Sequence, residues 1–249
     1  MLKVYKQEFR IPSAQTDLSG QWKPSAILET MQDMAGVHAE LLGVGRNALI
    51  QHNTVWVLTR VEVEMDRYPA SGELVSIETF PMPCRRVFFP RYFIFRDAAG
   101  NEIGRAGSLW VLLDFTTRKM SPGKEIAALM PDNSDLTAPL GLPGPVTEVS
   151  GTVEEEAILP RYTDIDVNQH VNNTKYLDWC CNALGIEAMK EMCLCHIVLN
   201  YNAEVRPGQA VQAQLRRLGD DFSYCGFVDG TRHFDVGGTL RKRAASEKC

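Results

Sequence analysis

The chain contains the same order of predicted elements twice, a long helix followed by a strand-rich stretch. In the first copy a helix is predicted from Pro24 to about Leu42, where apolar residues keep helical spacing and Gly43 provides a stop. In the second copy a helix is predicted from about Asn172 to Lys190. Each helix needs a sheet to cover its apolar face, so the repeat predicts two helices, each wrapped by a curved antiparallel sheet.

Alternating sequence predicts the strands of the first copy. They are residues 4–12, 55–65, 73–80, 85–97 and 102–114. Within the long strand, Val55 and every second residue as far as Met65 are expected to share one face. Pro90 is expected to mark a bulge or an edge strand, because proline cannot donate to a ladder.

The second copy repeats the pattern after a connection. Its predicted strands are one that ends at Pro160, one from Leu194 to Glu204, and three more up to Arg243. Residues 121–150 contain five prolines and several glycines, and no regular element is expected there. The predicted organisation is therefore residues 1–120, a connection over 121–150, and residues 151–249.

One run between a predicted strand and the second helix contains several side chains that could take part in catalysis. Asp166, Asn168 and His170 lie at every second position, and in extended chain such side chains point the same way. A carboxylate, an amide and an imidazole on one side are suited to general base catalysis. The run also imitates the start of a calcium loop, but Gln169 and Lys175 replace the required Gly and Glu, which excludes that site.

The run Asp166-x-Asn168-x-His170, the Val-Asn-Asn after it and Glu204 further on resemble the catalytic half of the acyl-acyl carrier protein thioesterases. This resemblance extends over nearly the whole chain. It implies an α+β tandem (double) hotdog fold, with an N-terminal hotdog over 1–120 and a catalytic C-terminal hotdog over 151–249. It also implies hydrolysis of fatty acyl-acyl carrier protein to free fatty acid and carrier protein, with those four residues as the catalytic set.

The two copies are expected to differ in function. Matching Thr16-Asp17-Leu18 with Thr163-Asp164-Ile165 aligns the catalytic positions 166, 168 and 170 with Ser19, Gln21 and Lys23. In the long strands, Pro69 is matched with Pro207 and Asp66 with Glu204. The first copy is therefore expected to lack the catalytic set and to shape the acyl pocket. Met31 and Met34 on its helix are the predicted substrate-binding residues, although Met at this spacing is also typical of plain core packing.

The nucleophile is expected to be water. An older proposal for the resembled family places a Cys directly after the Glu, and this chain has Val205 there. The resemblance then implies that His170 and Glu204 orient and deprotonate water. Asp166 is expected to support that network, and Asn168 to position the substrate or the oxyanion.

Charge and hydropathy limit the partners. A net charge of −5 argues against nucleic acid, while Arg85, Arg86 and Arg91 in one short segment are expected to steer the acidic acyl carrier protein. A homodimer is compatible with the sequence.

The sequence contains no run of roughly 18 apolar residues that could span a membrane, and no signal peptide is evident, so a cytoplasmic location is expected. Plant members of the resembled family carry a plastid transit peptide, and its absence favours a bacterial cytoplasm or a mature form.

Cysteine usage predicts reduced thiols and no metal. Seven Cys is an odd count without a disulfide framework. Cys193, Cys195 and His196 form a cluster, but structural zinc usually uses Cys pairs with wider spacing. Neither a metal nor a cofactor is expected.

Two alternative functions stay open: an acyl-coenzyme A thioesterase of the same fold, and a non-catalytic acyl-binding hotdog protein.

Overall fold

The computed structural model describes residues 2–243 and divides into two compact units. The N-terminal unit runs to Pro143 and the C-terminal unit begins at Gly144, with Lys23–Ser25 assigned to the latter. The boundary falls inside the Pro/Gly-rich stretch over 121–150. Across residues 2–243, no helix combines the length and the apolar character needed to cross a membrane.

Among its described residues, the N-terminal unit contains six antiparallel strands, three α-helices and the short 3-10 helix Ser13–Gln15. Its strands are β1 (Tyr5–Arg10), β2 (Thr54–Met65), β3 (Leu74–Pro81), β4 (Phe89–Asp97), β5 (Glu102–Asp114) and β6 (Met120–Ser121). Its helices are α1 (Pro24–Leu41), α2 (Arg46–Gln51) and α3 (Lys124–Ala128). The strand order is β1-β3-β4-β5-β2, and β6 pairs with β5. The predicted first helix and the element order of this copy are confirmed.

The long strand β2 contains a β-bulge at Thr59, where its register against β5 shifts. After the bulge, Val61 and the next two alternate residues are buried, as predicted. Before it, Leu58 is buried while Val57 is only half-buried. The prediction of a single alternating face over 55–65 is therefore wrong, because the extra residue moves the side chains before it to the opposite face.

Pro90 lies in a central strand. Its strand β4 is between β3 and β5, and the β4–β5 register shifts near Phe95, away from Pro90. The prediction of a bulge or edge at Pro90 is therefore wrong. The pairing of β3 with β4 ends at Pro81 and Arg91, so the ladder does not require an N–H from Pro90 on that side.

The connecting stretch contains regular structure that the sequence did not predict. Helix α3 lies between Pro122 and Pro131, and Ile126 is buried within it. The two prolines flank this helix and do not interrupt it, so a short turn of helix can form. The expectation that 121–150 holds no regular element is therefore wrong.

The C-terminal unit contains five antiparallel strands among its described residues. Its strands are β7 (Val153–Ile158), β8 (Met192–Tyr201), β9 (Val211–Leu218), β10 (Asp221–Val228) and β11 (Thr231–Lys242), and its helices are α4 (Lys175–Leu184) and α5 (Ile186–Glu191). Within this unit the order is β8-β11-β10-β9-β7. Tyr176 of α4 stacks on Phe234 of β11 with ring centroids 4.2 Å apart, which packs the helix onto the sheet.

Two predicted bounds in this unit are wrong. The single helix from about Asn172 to Lys190 is two helices, because Gly185 between them has φ +89, a backbone that interrupts helical geometry. The strand predicted to reach Glu204 ends at Tyr201. Glu204 therefore lies on an irregular segment beyond β8.

Candidate active site

The run from Asp166 to His170 is a tight turn. The Asp166 N–H donates to the His170 carbonyl at 2.9 Å, and the Gln169 N–H donates to the Asp166 carbonyl at 3.0 Å. Ile165 and Val171 form a β-bridge at its base, and Gln169 adopts φ +64. The prediction that this run is extended, with the side chains at every second position on the same side, is therefore wrong. The side chains are arranged by turn geometry instead.

Asp166 and Asn168 form the first pair in this site. Asp166 Oδ1 accepts the Asn168 backbone N–H at 2.8 Å, and Asp166 Oδ2 is 3.4 Å from Asn168 Nδ2. A side-chain oxygen that accepts a backbone N–H two residues later is a turn-forming contact typical of Asp. Asp166 therefore shapes the turn and orients Asn168.

His170 and Glu204 form the second pair. His170 Nε2 lies 3.0 Å from Glu204 Oε2, with side-chain exposures of 23% and 42%. Arg206 Nη2 lies 3.4 Å from the same oxygen, a contact that the sequence did not predict. The structure thus brings together an imidazole and a carboxylate that are distant in sequence.

The Glu204 segment is tied to the motif by the backbone. The Val171 N–H donates to the Val205 carbonyl at 2.8 Å, and Val205 is fully buried. The residues that directly follow His170 and Glu204 are therefore joined by a backbone hydrogen bond. This bond brings the His170 and Glu204 side chains within contact distance of each other. Burial raises the pKa of the Tyr176 phenol, and the charges of Asp166 and Glu204 act in the same direction.

The N-terminal unit contains the same turn, and it corrects the predicted alignment of the two copies. The Asp17 N–H donates to the Gln21 carbonyl at 2.7 Å, Asp17 Oδ1 accepts the Ser19 N–H at 2.8 Å, and Gly20 has φ +72. The equivalent residues are therefore Asp17 for Asp166, Ser19 for Asn168 and Gln21 for His170. The predicted match with Ser19, Gln21 and Lys23 is wrong by two residues.

The long strands need a similar correction. The Trp22 N–H donates to the Pro69 carbonyl at 2.9 Å, which is the counterpart of the Val171 to Val205 bond. Pro69 therefore corresponds to Val205, and Tyr68 corresponds to Glu204. The predicted pairs Pro69 with Pro207 and Asp66 with Glu204 are wrong. At the places of His170 and Glu204, the N-terminal unit has Gln21 and Tyr68.

The remaining predicted residues have mixed environments. Met31 and Met34 are buried on α1, and their contact with substrate stays a prediction. Arg91 is also buried, with Nη1 at 3.0 Å from His38 Nδ1 and 3.2 Å from Thr79 Oγ1. The expectation that Arg91 contributes to a carrier-binding surface is therefore wrong, because its guanidinium is buried and hydrogen-bonded to side chains of the core.

The cysteine nearest to the motif on α4 is poorly suited to act as a nucleophile. Cys180 is fully buried, and burial raises the pKa of its thiol well above the usual value. Burial likewise raises the pKa of the thiols of Cys84, Cys195 and Cys225. The thiolate that nucleophilic attack requires is disfavoured at all four positions.

Comparison with known proteins places this geometry in context. A model of the acyl-ACP thioesterase N-terminal domain matches residues 2–129, and a model of the C-terminal domain matches residues 148–233. The chain is 28% identical over 238 residues to a palmitoyl-acyl carrier protein thioesterase, chloroplastic, of Arabidopsis thaliana, covering 88% of this chain and 56% of that protein. It is 28% identical over 227 residues to an oleoyl-acyl carrier protein thioesterase, chloroplastic, of Coriandrum sativum, covering 84% and 61%. The chain spans about half the length of the curated relatives it matches.

Solved structures confirm the predicted fold. An acyl-ACP thioesterase from Bacteroides thetaiotaomicron is similar with a TM-score of 0.85 and 23% identity, over 96% of this chain and 98% of that chain. A 12:0-ACP thioesterase from Umbellularia californica is similar with a TM-score of 0.80 and 22% identity, over 96% and 98%. The α+β tandem hotdog prediction is confirmed by these likenesses. Since the two family models together match most of its length, the chain belongs to the acyl-ACP thioesterase family.

Proposed function

We propose that this chain is a thioester hydrolase that converts fatty acyl-acyl carrier protein to free fatty acid and carrier protein. The observation that carries the proposal is the 3.0 Å contact of His170 Nε2 with Glu204 Oε2, in the unit that matches the family's C-terminal domain. The relatives named as palmitoyl- and oleoyl-acyl carrier protein thioesterases support the same substrate class.

The His170–Glu204 pair has the chemistry of a general base. An ionised carboxylate only accepts hydrogen bonds, so His170 carries its proton on Nε2 and Nδ1 has the free lone pair. Within residues 2–243, no protein group is bonded to His170 Nδ1, which leaves that atom available to water. The carboxylate of Glu204 then stabilises the imidazolium that forms when Nδ1 takes a proton.

The proposed reaction needs no covalent intermediate. The water oxygen attacks the thioester carbonyl carbon while a water proton passes to His170 Nδ1. Collapse of the tetrahedral intermediate breaks the C–S bond, and the leaving thiolate of the carrier takes the proton back from the imidazolium. We assign the Asn168 amide to the oxyanion, where a positioned donor is most effective. Asp166 supports this arrangement by forming the turn that presents Asn168.

Water is favoured over cysteine by the residues present. Val205 occupies the position after Glu204, where the older family proposal requires a Cys. Cys180 is fully buried with a raised pKa, so it is neither accessible nor ionised. Within residues 2–243, neither position 205 nor Cys180 therefore offers a thiol suited to direct attack.

The acyl chain and the carrier are assigned to different features of the N-terminal unit. We assign the length preference for the acyl group to Met31 and Met34, which are apolar and adaptable side chains. We assign part of the attraction of the acidic carrier to Arg85 and Arg86, both exposed at a turn before β4. Arg91 has no part in this attraction.

A substrate panel tests the proposal. Purified protein is assayed for free fatty acid release from acyl-carrier protein and acyl-coenzyme A thioesters of matched chain lengths. We expect a higher kcat/KM for the carrier-bound series. A higher value for coenzyme A would favour the acyl-coenzyme A alternative. Acyl binding without turnover in both series would contradict hydrolysis and favour the acyl-binding alternative.

A further inference from the structure

His233 of β11 makes three hydrogen bonds to the segment that carries Glu204. The backbone N–H groups of Asn202 and Ala203 both donate to the His233 carbonyl, at 2.9 and 3.0 Å. The His233 ring makes a third bond, with Nδ1 at 3.0 Å from the Glu204 carbonyl oxygen. Because a carbonyl oxygen only accepts, the proton lies on Nδ1. His233 is only 9% exposed, so competition from water is weak.

The N-terminal unit has the same backbone arrangement without the ring contact. The N–H groups of Asp66 and Arg67 donate to the Ile103 carbonyl at 2.9 and 3.3 Å. The flanking side-chain pairs also correspond, with Glu102–Arg105 and Asp66–Arg105 in this unit and Arg232–Asp235 and Asn202–Asp235 in the other. Ile103 therefore occupies the place of His233, and its side chain has no hydrogen-bond donor.

The replacement of His233 by Ile103 in the N-terminal unit coincides with the absence of a His–Glu pair from that unit. The residue at the place of Glu204 in the N-terminal unit is Tyr68, so the unit without the His–Glu pair also lacks the histidine. Asn202, Ala203 and Glu204 are exposed beyond the end of β8, so apolar packing does little to orient them. Hydrogen bonds must supply the order that packing does not.

Two successive carbonyls of the Glu204 segment are anchored. The Glu204 carbonyl accepts from the His233 ring, and the Val205 carbonyl accepts from the N–H of Val171, the residue after His170. One anchor belongs to β11 and the other to the motif turn. Between them they fix the backbone from which the Glu204 carboxylate reaches His170.

We infer that His233 is a positioning residue for the His170–Glu204 pair. Its ring N–H fixes the Glu204 backbone and contacts neither the acyl group nor the attacking water. This inference rests on the proposed function. Without the ring contact, the carboxylate moves relative to His170, and a misplacement of about 1 Å in such a group costs up to about 100-fold in rate. The loss falls on kcat, because acyl binding does not depend on this contact.

Paired substitutions at His233 test the inference. His233→Ile, which introduces the residue of the N-terminal unit, is expected to lower kcat about 10- to 100-fold with KM changed less than about twofold. His233→Asn retains an N–H close to the position of Nδ1 and is expected to recover most of that loss. A folded His233→Ile protein with parent kcat, or folded Asn and Ile variants that are equally slow, would overturn the inference.

A double variant separates positioning from a general structural role. Because His233 acts through Glu204, His233→Ile combined with Glu204→Gln is expected to be no slower than Glu204→Gln alone. Additive losses would contradict a role through Glu204. Ile103→Val in the N-terminal unit is the matched control and is expected to keep parent kcat. Thermal unfolding of each variant confirms that the compared proteins are folded.

Nitrogen-15 NMR tests the contact independently of turnover. We expect the neutral His233 ring to be protonated at Nδ1, and a ring protonated only at Nε2 would contradict the assigned bond. If the parent protein hydrolyses none of the thioesters in the panel, the proposed function is wrong. The NMR measurement still decides whether the His233 ring bonds the Glu204 carbonyl. The two failures are therefore distinguishable.

Discussion

Asp166 and Asp17 form the same turn in the two units. The Oδ1 atom of each accepts the backbone N–H of the residue two positions later, at 2.8 Å in both cases. The N-terminal turn has Ser19 and Gln21 where the other has Asn168 and His170. The aspartate is therefore shared by a turn with the proposed catalytic side chains and a turn without them, so turn formation accounts for its presence in both.

We predict that a hydroxyl can replace the Asp166 carboxylate. Ser forms the same kind of turn contact, so Asp166→Ser should retain most of the parent kcat, whereas Asp166→Ala should lose activity and about 1 kcal/mol of stability. Asp17→Ala is the matched control, with a similar loss of stability and little loss of kcat. Steady-state kinetics and urea unfolding measure both effects. A folded Asp166→Ser protein as inactive as Asp166→Ala would instead assign the carboxylate to the chemistry.

Acid should destabilise the N-terminal unit through His38. Its Nδ1 accepts from Arg91 at 3.0 Å and its Nε2–H donates to the Leu2 carbonyl at 3.1 Å, so the bound ring is neutral. Burial, and then the Arg91 charge, lower the pKa of His38 from 6.5 to about 4. The unfolded chain therefore binds more protons between these values, and the free energy of unfolding falls by up to about 3 kcal/mol as the pH drops through that window.

Denaturant unfolding at pH 7 and pH 4.5 measures this effect. His38→Gln has no group that titrates in the window, so its free energy of unfolding should depend less on pH than that of the parent. The carboxylates titrate in both proteins, and the comparison removes their contribution. Parallel pH profiles for parent and variant would contradict the account of His38.

Acyl-length preference should respond to α1 more than to α4. Met31→Val and Met34→Val each remove apolar volume from the helix of the N-terminal unit, and we expect each to shift the ranking of chain lengths in the substrate panel. Cys180→Ala, at the corresponding place on α4, is the matched control and should leave the ranking unchanged. Folded Met variants with the parent ranking would remove Met31 and Met34 from the substrate assignment.

The protein should remain active without the two adjacent cysteines of α4. Because Cys180 packs as a small apolar side chain, a Cys180→Ala, Cys181→Ala protein is expected to fold and to keep parent turnover. Intact-mass analysis during turnover should show no acyl adduct on the parent protein. An adduct on either thiol would return the reaction to nucleophilic catalysis.

Periodicity was sufficient for most of the fold. Apolar spacing predicted α1 to within a residue, and alternation predicted the order of the strands, because both signals are local. The bulge at Thr59 and the helix break at Gly185 were missed. Bulges depend on pairing with a partner strand, and Gly within a helical pattern does not by itself mark an end.

The contact of His170 with Glu204 agrees with the pair expected from the sequence, whereas the turn geometry of the motif was not predicted. Asp164 and Asp166 lie two residues apart, and sequence alone does not distinguish which of them corresponds to Asp17. The turn hydrogen bonds show that Asp166 is the equivalent residue. His233 carried no signal, because a lone histidine in a strand is identified as part of the site only when the fold brings it to Glu204. Arg91 was predicted from charge alone, and its burial depends on packing that sequence does not show.

We propose that His170, held by Glu204, deprotonates the attacking water. The most direct measurement is the single-turnover rate of fatty acid release by folded His170→Ala protein saturated with acyl-carrier protein, beside its dissociation constant for a non-hydrolysable acyl analogue. We expect a rate lower by about two to four orders of magnitude with an unchanged dissociation constant. A rate near that of the parent protein, with acyl binding intact, would show that His170 is not the base.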